Sequence, residues 1–208
     1  MLTLGFDEKF CFRAILRHRV EDGDRVVLIT ASLVDRVKKA YEQIKAFLTA
    51  SYKNINLELM QIDVNDLLGS VEKISKKLEE LSKCEKIIVN VSGGMRILAI
   101  IVLLTLIIKP MRNLELEIEL EDSSALISIP ADFLKIASIK ARLSKEKIKL
   151  LKLVVRGEND VKSLARHLEK DESTIRRHIS DLEELKLIEI VKRKPLKVKA
   201  TKLARLVL

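Results

Sequence analysis

The chain has 208 residues, of which 48% are hydrophobic and 33% charged, with only 6 Gly, 3 Pro and 2 Cys. These values exclude collagen-like, low-complexity, disordered and disulfide-rich proteins, and the length allows one large domain or two small ones. The net charge of +9 is uneven, because residues 138–208 hold 20 of the 39 basic residues but only 10 of the 30 acidic ones. A basic domain after a neutral one suggests a polyanionic partner, and surface charge in a thermophilic protein is the alternative.

Residues 1–137 alternate short apolar runs with segments of helical periodicity. In chain order the pattern predicts strand 2–6, helix 8–19, strand 25–30, helix 34–51, strand 55–62, helix 65–82, strand 86–91, helix 93–108 and the strand pair 114–120 and 125–129. Such alternation is typical of a parallel sheet with helices on both faces. We therefore predict a Rossmann-like α/β domain, in which the Leu-Glu alternation of strand 114–120 turns one face toward water at an edge or hairpin.

Residues 138–208 follow a different order. Helices are predicted over 144–155 and 161–168, the second capped by Asn159 or Asp160, and a third runs from a cap at Asp171 or Ser173 to about residue 187. Two short strands, 188–194 and 196–200, and a short helix capped by Thr201 follow. Three helices and a basic hairpin form the order of a winged helix-turn-helix domain.

The third helix of this domain is the predicted recognition helix. Its apolar stripe is Ile175, Ile179, Leu182 and Leu185, and the opposite face at its start presents Ser173, Thr174, Arg176, Arg177 and His178. The first residues of such a helix contact base edges in the major groove, where Arg can bind guanine with two hydrogen bonds. The hairpin is expected to contact the DNA through basic side chains, namely Lys192, Arg193, Lys194 and Lys197. The alternative interpretation of Arg176, Arg177 and the basic side chains of the hairpin is a solvated charged face, and the alternative for His178 is surface packing.

A second motif, Asn90-Val-Ser-Gly-Gly-Met-Arg96, lies where a predicted strand passes into a helix. Paired glycines allow backbone amides to approach a ligand, and a helix N-terminus favours anions. The motif is neither a Walker A loop nor a dinucleotide fingerprint, because the glycine spacing of both is missing. Gly5 in the first strand-to-helix loop permits a similar approach from the same edge of the sheet, and tight turn geometry is the alternative for both loops.

Together, Thr3-Leu-Gly-Phe-Asp7, Ser92-Gly-Gly-Met-Arg96 and the C-terminal winged helix resemble the CARF–winged-helix transcription regulators of archaeal CRISPR–Cas systems, where CARF denotes the CRISPR-associated Rossmann fold. The resemblance covers essentially the whole chain. Met95 departs from the family pattern, which has a small or polar residue there. The resemblance assigns residues 1–137 to a CARF ligand-sensing and dimerisation domain and residues 138–208 to a winged helix-turn-helix DNA-binding domain.

The resemblance also implies a function in antiviral defence. The protein would be a homodimer that binds a cyclic oligoadenylate, with cyclic tetra-adenylate the best match to a two-fold site. The residues that correspond to the family's ligand contacts are Gly5, Phe6, Asp7, Ser92, Gly93, Gly94, Met95 and Arg96. Ligand binding would alter binding to double-stranded promoter DNA, and the apolar helix over residues 97–108 would supply core and dimer contacts.

Three other functions stay open. The protein could be a ring nuclease that cleaves its cyclic ligand without a metal, with Ser92 and Arg96 orienting the phosphate. It could sense a different small anion, or it could be an architectural DNA-binding protein with an unliganded α/β domain. Neither a catalytic residue nor a cofactor nor a metal site is predicted.

The uncharged run over residues 97–108 is too short to cross a bilayer as a helix, which needs about 20 residues. The N-terminus lacks the basic start and apolar stretch of a signal peptide. A cytoplasmic protein without membrane contact is therefore expected.

Overall fold

The computed structural model describes residues 1–208, with the side chains at positions 137 and 142 outside the description. Two compact units divide the chain, Met1–Leu134 and Lys135–Leu208. The exact domain boundary at residue 137 stays a prediction.

The first unit is an α/β domain whose strands and helices alternate as predicted. In chain order its elements are β1 (Leu2–Thr3), α1 (Lys9–Arg17), β2 (Arg25–Thr30), α2 (Asp35–Ser51), β3 (Asn56–Gln61), α3 (Leu67–Leu81), β4 (Ile87–Asn90), α4 (Arg96–Ile108), β5 (Leu114–Glu119), β6 (Leu126–Pro130) and the single turn α5 (Ala131–Leu134). Its strands form one sheet in the order β3-β2-β1-β4-β5-β6.

All neighbouring strands in this sheet are parallel except β5 and β6. The strand order runs β3, β2, β1 in one direction and β4, β5 in the other, so it reverses between β1 and β4. Loops at the carboxyl ends of the two strands that flank such a reversal diverge around a crevice, which is where open α/β sheets bind ligands. The loops that follow β1 and β4 carry the two predicted glycine motifs.

Apolar residues cover both faces of the sheet, because successive side chains of a strand point to opposite faces. Leu28 of β2 packs with α1 and α2, through residues such as Ile15 and Ile44. Ile29, the next residue, packs with α3 and α4, through residues such as Leu78. The prediction of a Rossmann-like sheet with helices on both faces is confirmed.

Strand β5 forms the predicted hairpin with β6, but the prediction that one of its faces meets water is wrong. It lies between β4 and β6, and its Glu117 and Glu119 are 2% and 6% exposed. Arg13 and Arg17 of α1 each lie 2.6 Å from Glu119, and Glu117 lies 3.8 Å from Arg17 and 2.8 Å from the His18 Nε2 atom. In this strand the Leu-Glu alternation therefore corresponds to two buried faces: an apolar face with the leucines and a face where the glutamates form ion pairs.

The second unit is a winged helix-turn-helix domain, which confirms the prediction. Its elements are α6 (Ile136–Arg142), α7 (Lys145–Val155), α8 (Val161–Leu168), α9 (Glu172–Glu184), β7 (Ile188–Arg193), β8 (Leu196–Ala200) and α10 (Lys202–Val207). Strands β7 and β8 form a two-stranded antiparallel sheet. The core contains Leu150, Leu164, Ile175 and Leu182, all fully buried.

Short polar side chains fix where these helices begin. The Asp160 carboxylate accepts a hydrogen bond from the Ser163 amide at 2.9 Å, and the Thr201 hydroxyl accepts one from the Ala204 amide at 3.3 Å. Each bond satisfies an amide that the first helical turn leaves without a partner. Capping by Asp160 and by Thr201 is thus confirmed.

Within the described part of the chain, no helix is long and apolar enough to span a membrane. The most apolar helix, α4, has 13 residues.

Candidate functional site

The two glycine motifs of the first unit meet at the carboxyl edge of the sheet. A Cβ atom placed on Gly5 would lie 2.7 Å from the Gly94 Cα and 2.8 Å from its nitrogen. The β1–α1 and β4–α4 loops are therefore in direct backbone contact, which only a residue without a side chain allows.

The glycine pair of the β4–α4 loop is required for two separate reasons. A Cβ atom on Gly93 would lie 2.5 Å from the Thr3 carbonyl oxygen, so this position has no room for a side chain. Gly94 has a φ of +80°, in the left-handed region that other residues rarely adopt. The turn therefore depends on glycine both for its packing and for its backbone conformation.

Hydrogen bonds hold this turn on the ends of three strands. The Thr3 hydroxyl of β1 donates to the Gly93 carbonyl at 2.6 Å, and the Ser92 amide donates to the Asn90 Oδ1 atom at 3.1 Å. The Glu119 amide of β5 donates to the Ser92 hydroxyl oxygen at 2.7 Å. The Ser92 oxygen is therefore used as an acceptor, and its hydroxyl hydrogen is free to donate to a ligand.

The start of helix α4 adds positive character to the site. Met95 occupies the N-cap position, and its side chain makes no capping hydrogen bond. The Leu98 amide donates to the Met95 carbonyl at 2.9 Å, but the amides before it in the first turn are left to a ligand or to water, and the exposed Arg96 adds a formal charge beside them. This combination favours an anionic group.

A cavity of about 660 Å³ opens over the two loops. Every ligand residue predicted from the sequence lines it, namely Gly5, Phe6, Asp7, Ser92, Gly93, Gly94, Met95 and Arg96. Their assignment as ligand contacts stays a prediction.

The sequence analysis missed the other residues that line the cavity. Most of them come from α1, from the end of β2 and the loop after it, and from the β5–β6 turn, and they include Lys9, Phe10, Thr30, Ala31, Ser32 and Glu121. The β2–α2 loop has no glycine motif, but its position after the strand next to β1 is the feature that could have identified it. The sheet order brings a third loop to the site.

Asp7 is anchored within the site. Its carboxylate accepts a hydrogen bond from the Lys9 amide at 2.9 Å and lies 3.2 Å from the Lys9 ammonium. The hydrogen bond from this amide and the nearby ammonium lower the pKa of Asp7 below its ordinary value. The group is therefore ionised at neutral pH and can accept a hydrogen bond, as from a sugar hydroxyl.

Ion pairs hold in place the buried residue of β5 that contacts the β4–α4 turn. Arg13 Nη1 and Arg17 Nη2 each lie 2.6 Å from a carboxylate oxygen of Glu119, whose amide holds Ser92. Burial raises the pKa of Glu119, but the hydrogen bonds from Arg17 and Arg13 outweigh this effect and leave the pKa below its ordinary value. Helix α1 is thus tied by ionic contacts to the strand that positions Ser92.

In the second unit, most of the predicted DNA-contacting residues lie on the surface. On helix α9, Ser173, Arg176 and Arg177 are exposed and Thr174 is partly buried. Arg176 lies 3.6 Å from Glu172 in a surface pair of low stability. The start of α9 therefore presents hydroxyls and two guanidinium groups.

His178 does not share this surface, and its predicted exposure is wrong. The residue is 8% exposed, because helical periodicity places it three residues after Ile175 and one before Ile179, on the buried stripe. Neither ring nitrogen has a hydrogen-bond partner among the described residues. The Glu146 carboxylate lies 3.7 Å from Nε2, too far for a hydrogen bond.

The β7–β8 hairpin has the properties predicted for a wing. Lys192, Arg193, Lys194 and Lys197 are all exposed along it. Val198 on β8 is buried and joins the hairpin to the domain core. The basic side chains are thus held outward on an anchored strand pair.

Among the described residues, no group of three or more His, Cys, Asp or Glu side chains is placed to hold a metal ion. Burial raises the pKa of the Cys11 thiol to about 12, so this cysteine stays protonated and unreactive.

Comparison with known families supports the same division of the chain. Residues 1–130 match the family described as the Csa3 CRISPR-associated Rossmann-like domain. Residues 144–189 match the family described as bacterial regulatory protein, arsR family. No curated protein matches the chain.

The first match spans more than half of the chain and includes both glycine loops. The second includes helices α7, α8 and α9. A CRISPR-associated Rossmann-like domain is thus followed by the helix-turn-helix of a transcription regulator, as the sequence resemblance implied. The chain belongs to the Csa3 family of CRISPR-associated regulators.

Proposed function

We propose that the protein is a homodimeric transcription regulator whose α/β domain binds cyclic tetra-adenylate and whose winged helix binds promoter DNA. The observation that carries the proposal is the contact between Gly5 and Gly94 at the point where the strand order reverses. It creates one cradle from two loops, beside an uncapped helix N-terminus.

The chemistry of the cavity supports a nucleotide ligand. Backbone amides at the start of α4, with Arg96, favour a phosphate, and the ionised Asp7 can accept from a ribose hydroxyl. A cyclic tetranucleotide has two equivalent halves in a two-fold site, so each protomer would bind one half.

The surface of helix α4 supports a dimer. Ile100, Leu104 and Ile108 are 52%, 37% and 68% exposed and follow one another at helical spacing. In a dimer this stripe would pack against the same stripe of the second protomer. Because α4 starts at the cavity, the two cavities would then lie next to each other. Ile100→Glu is expected to give a monomer by light scattering, while Leu16→Glu, at an equally exposed position of α1, leaves the dimer intact.

Ligand binding is tested by isothermal titration with cyclic tetra-adenylate. Arg96→Gln is expected to weaken binding roughly 10- to 150-fold, the range of a hydrogen bond to a charged group. Arg112→Gln is the control, because this exposed arginine precedes β5 at the opposite edge of the sheet. If the wild-type protein does not bind cyclic tetra-adenylate, the proposal that this molecule is the ligand is refuted. A linear product from labelled ligand would indicate a ring nuclease instead.

DNA binding is tested on a promoter fragment of the CRISPR locus. Arg176→Ala is expected to weaken specific binding by about 1–3 kcal/mol, since a base contact would be lost. Neutralising Arg193 and Lys194 in the wing should instead weaken binding to all sequences and reduce its salt dependence. Saturating cyclic tetra-adenylate must change the affinity for DNA, and an unchanged affinity would refute the coupling.

A further inference from the structure

Phe6 is an exposed aromatic residue at the mouth of the cavity. Its side chain is 60% exposed and lines the cavity beside Gly5 and Asp7. Most phenylalanines of a folded protein are buried, because burial of the ring is favourable. An exposed ring at a cavity is therefore a candidate contact surface.

A cation supports this ring. The Arg36 guanidinium lies over the Phe6 ring, 5.5 Å from its centroid. Arg36 belongs to the first turn of α2, so the contact joins the β1–α1 loop to the start of α2. A cation over the face of an aromatic ring is attracted to its π electrons, and this attraction orients the ring.

The lining of the cavity differs from place to place. The β4–α4 loop brings glycine amides and Arg96, whereas the β1–α1 and β2–α2 loops bring Phe6, Ala31 and Ser32. The first set suits an anionic phosphate. The second set offers a flat apolar ring with a hydroxyl nearby, which suits a nucleobase.

We propose that Phe6, supported by Arg36, is the stacking platform for one base of the bound nucleotide. This inference rests on the proposed function and adds a base-binding subsite to its phosphate cradle. The base stacks on the ring face away from the guanidinium. Because every base has a π face, the platform contributes affinity and placement, while phosphate binding stays with the glycine loops.

Titration of the full-length protein with cyclic tetra-adenylate tests the platform. Phe6→Leu is expected to weaken binding about 5- to 150-fold, which is the fold-change in Kd that corresponds to the loss of one base–aromatic stack. The control is Phe133→Leu, which removes an equally exposed ring (54%) that does not line the cavity. Arg36→Gln is expected to weaken binding less than Phe6→Leu, since it removes only the support of the ring.

A spectroscopic readout separates stacking from a structural effect. The chain has no Trp, so the fluorescence of a cyclic tetranucleotide that carries one 2-aminopurine is observed without protein background. We expect quenching on binding to the wild type, loss of the quenching in Phe6→Leu at saturating ligand, and its return in Phe6→Tyr. Thermal melting checks that each variant is folded.

The outcomes are distinguishable. Wild-type protein that binds no cyclic tetra-adenylate overturns the proposed function and the platform together. Wild-type protein that binds, with unchanged affinity and quenching in Phe6→Leu, overturns the platform alone. Loss of both in Phe6→Leu but not in Phe133→Leu supports the platform.

Discussion

The contact between the two glycine loops gives the sharpest test of the site. In Gly5→Ala the added methyl carbon would lie 2.7 Å from the Gly94 Cα. Non-bonded carbon atoms are most favourably placed at about 3.5–4.0 Å, so the loops must separate by about 0.8 Å. The neighbouring atoms belong to the backbone and cannot rotate away. Overpacking of this kind costs about 1–3 kcal/mol, which corresponds to a fall in Tm of roughly 2–12 °C for a chain of this size.

Two measurements follow this change. Thermal unfolding by circular dichroism gives the loss of stability, and titration with cyclic tetra-adenylate gives the loss of affinity. A binding site tolerates displacements of only about 0.5 Å, so affinity should fall at least tenfold. Gly23→Ala is the control, because nothing lies within 4 Å of its Cβ position and its φ of +96° supplies backbone strain without a clash. Wild-type stability and affinity in Gly5→Ala would show that the two loops do not touch.

Three further changes test other parts of the structure. Gly94→Ala should cost about 1–2 kcal/mol, because an alanine must adopt the left-handed φ of +80°, and Tm measures the loss; wild-type stability would contradict that turn. Glu119→Gln should lower the free energy of urea unfolding. The folded-state pKa of Glu119 lies below the unfolded value of about 4.3, so its ion pairs with Arg13 and Arg17 stabilise the fold above that pH and are lost as the pH falls through the folded pKa. The difference from wild type should therefore shrink below about pH 4, and a constant difference would argue against these pairs. His178→Leu should leave the affinity for DNA unchanged. It should leave the free energy of unfolding unchanged or raise it by up to about 1–3 kcal/mol, because it removes a buried ring without hydrogen bonds. Weaker DNA binding at wild-type stability would indicate that His178 contacts DNA after all.

The order of elements was predictable because it depends on local patterns. The stripe of Ile175, Ile179 and Leu182 has helical spacing, and the same spacing is seen in the buried residues of α9. Asp160 and Thr201 cap helices because a short polar side chain can reach an amide three residues ahead. Such signals lie within a few residues of the features that they predict.

The errors arose where a local pattern has two meanings. Alternating Leu and Glu in a strand normally indicates that one face is exposed to water, but Arg13 and Arg17 of a helix about a hundred residues earlier in the chain pair with Glu119. His178 was grouped with the arginines beside it by composition, although helical geometry places it with the isoleucines. The β2–α2 loop was overlooked because no motif marks it.

By itself, the sequence determined two domains, their fold classes and the glycine turns, because periodicity and glycine spacing are properties of a few neighbouring residues. Only the tertiary structure decided that Gly5 touches Gly94, that Arg36 lies over Phe6 and that Glu119 is buried against two arginines. These contacts join residues from separate elements, and the strand order that brings them together is fixed by packing of the whole sheet.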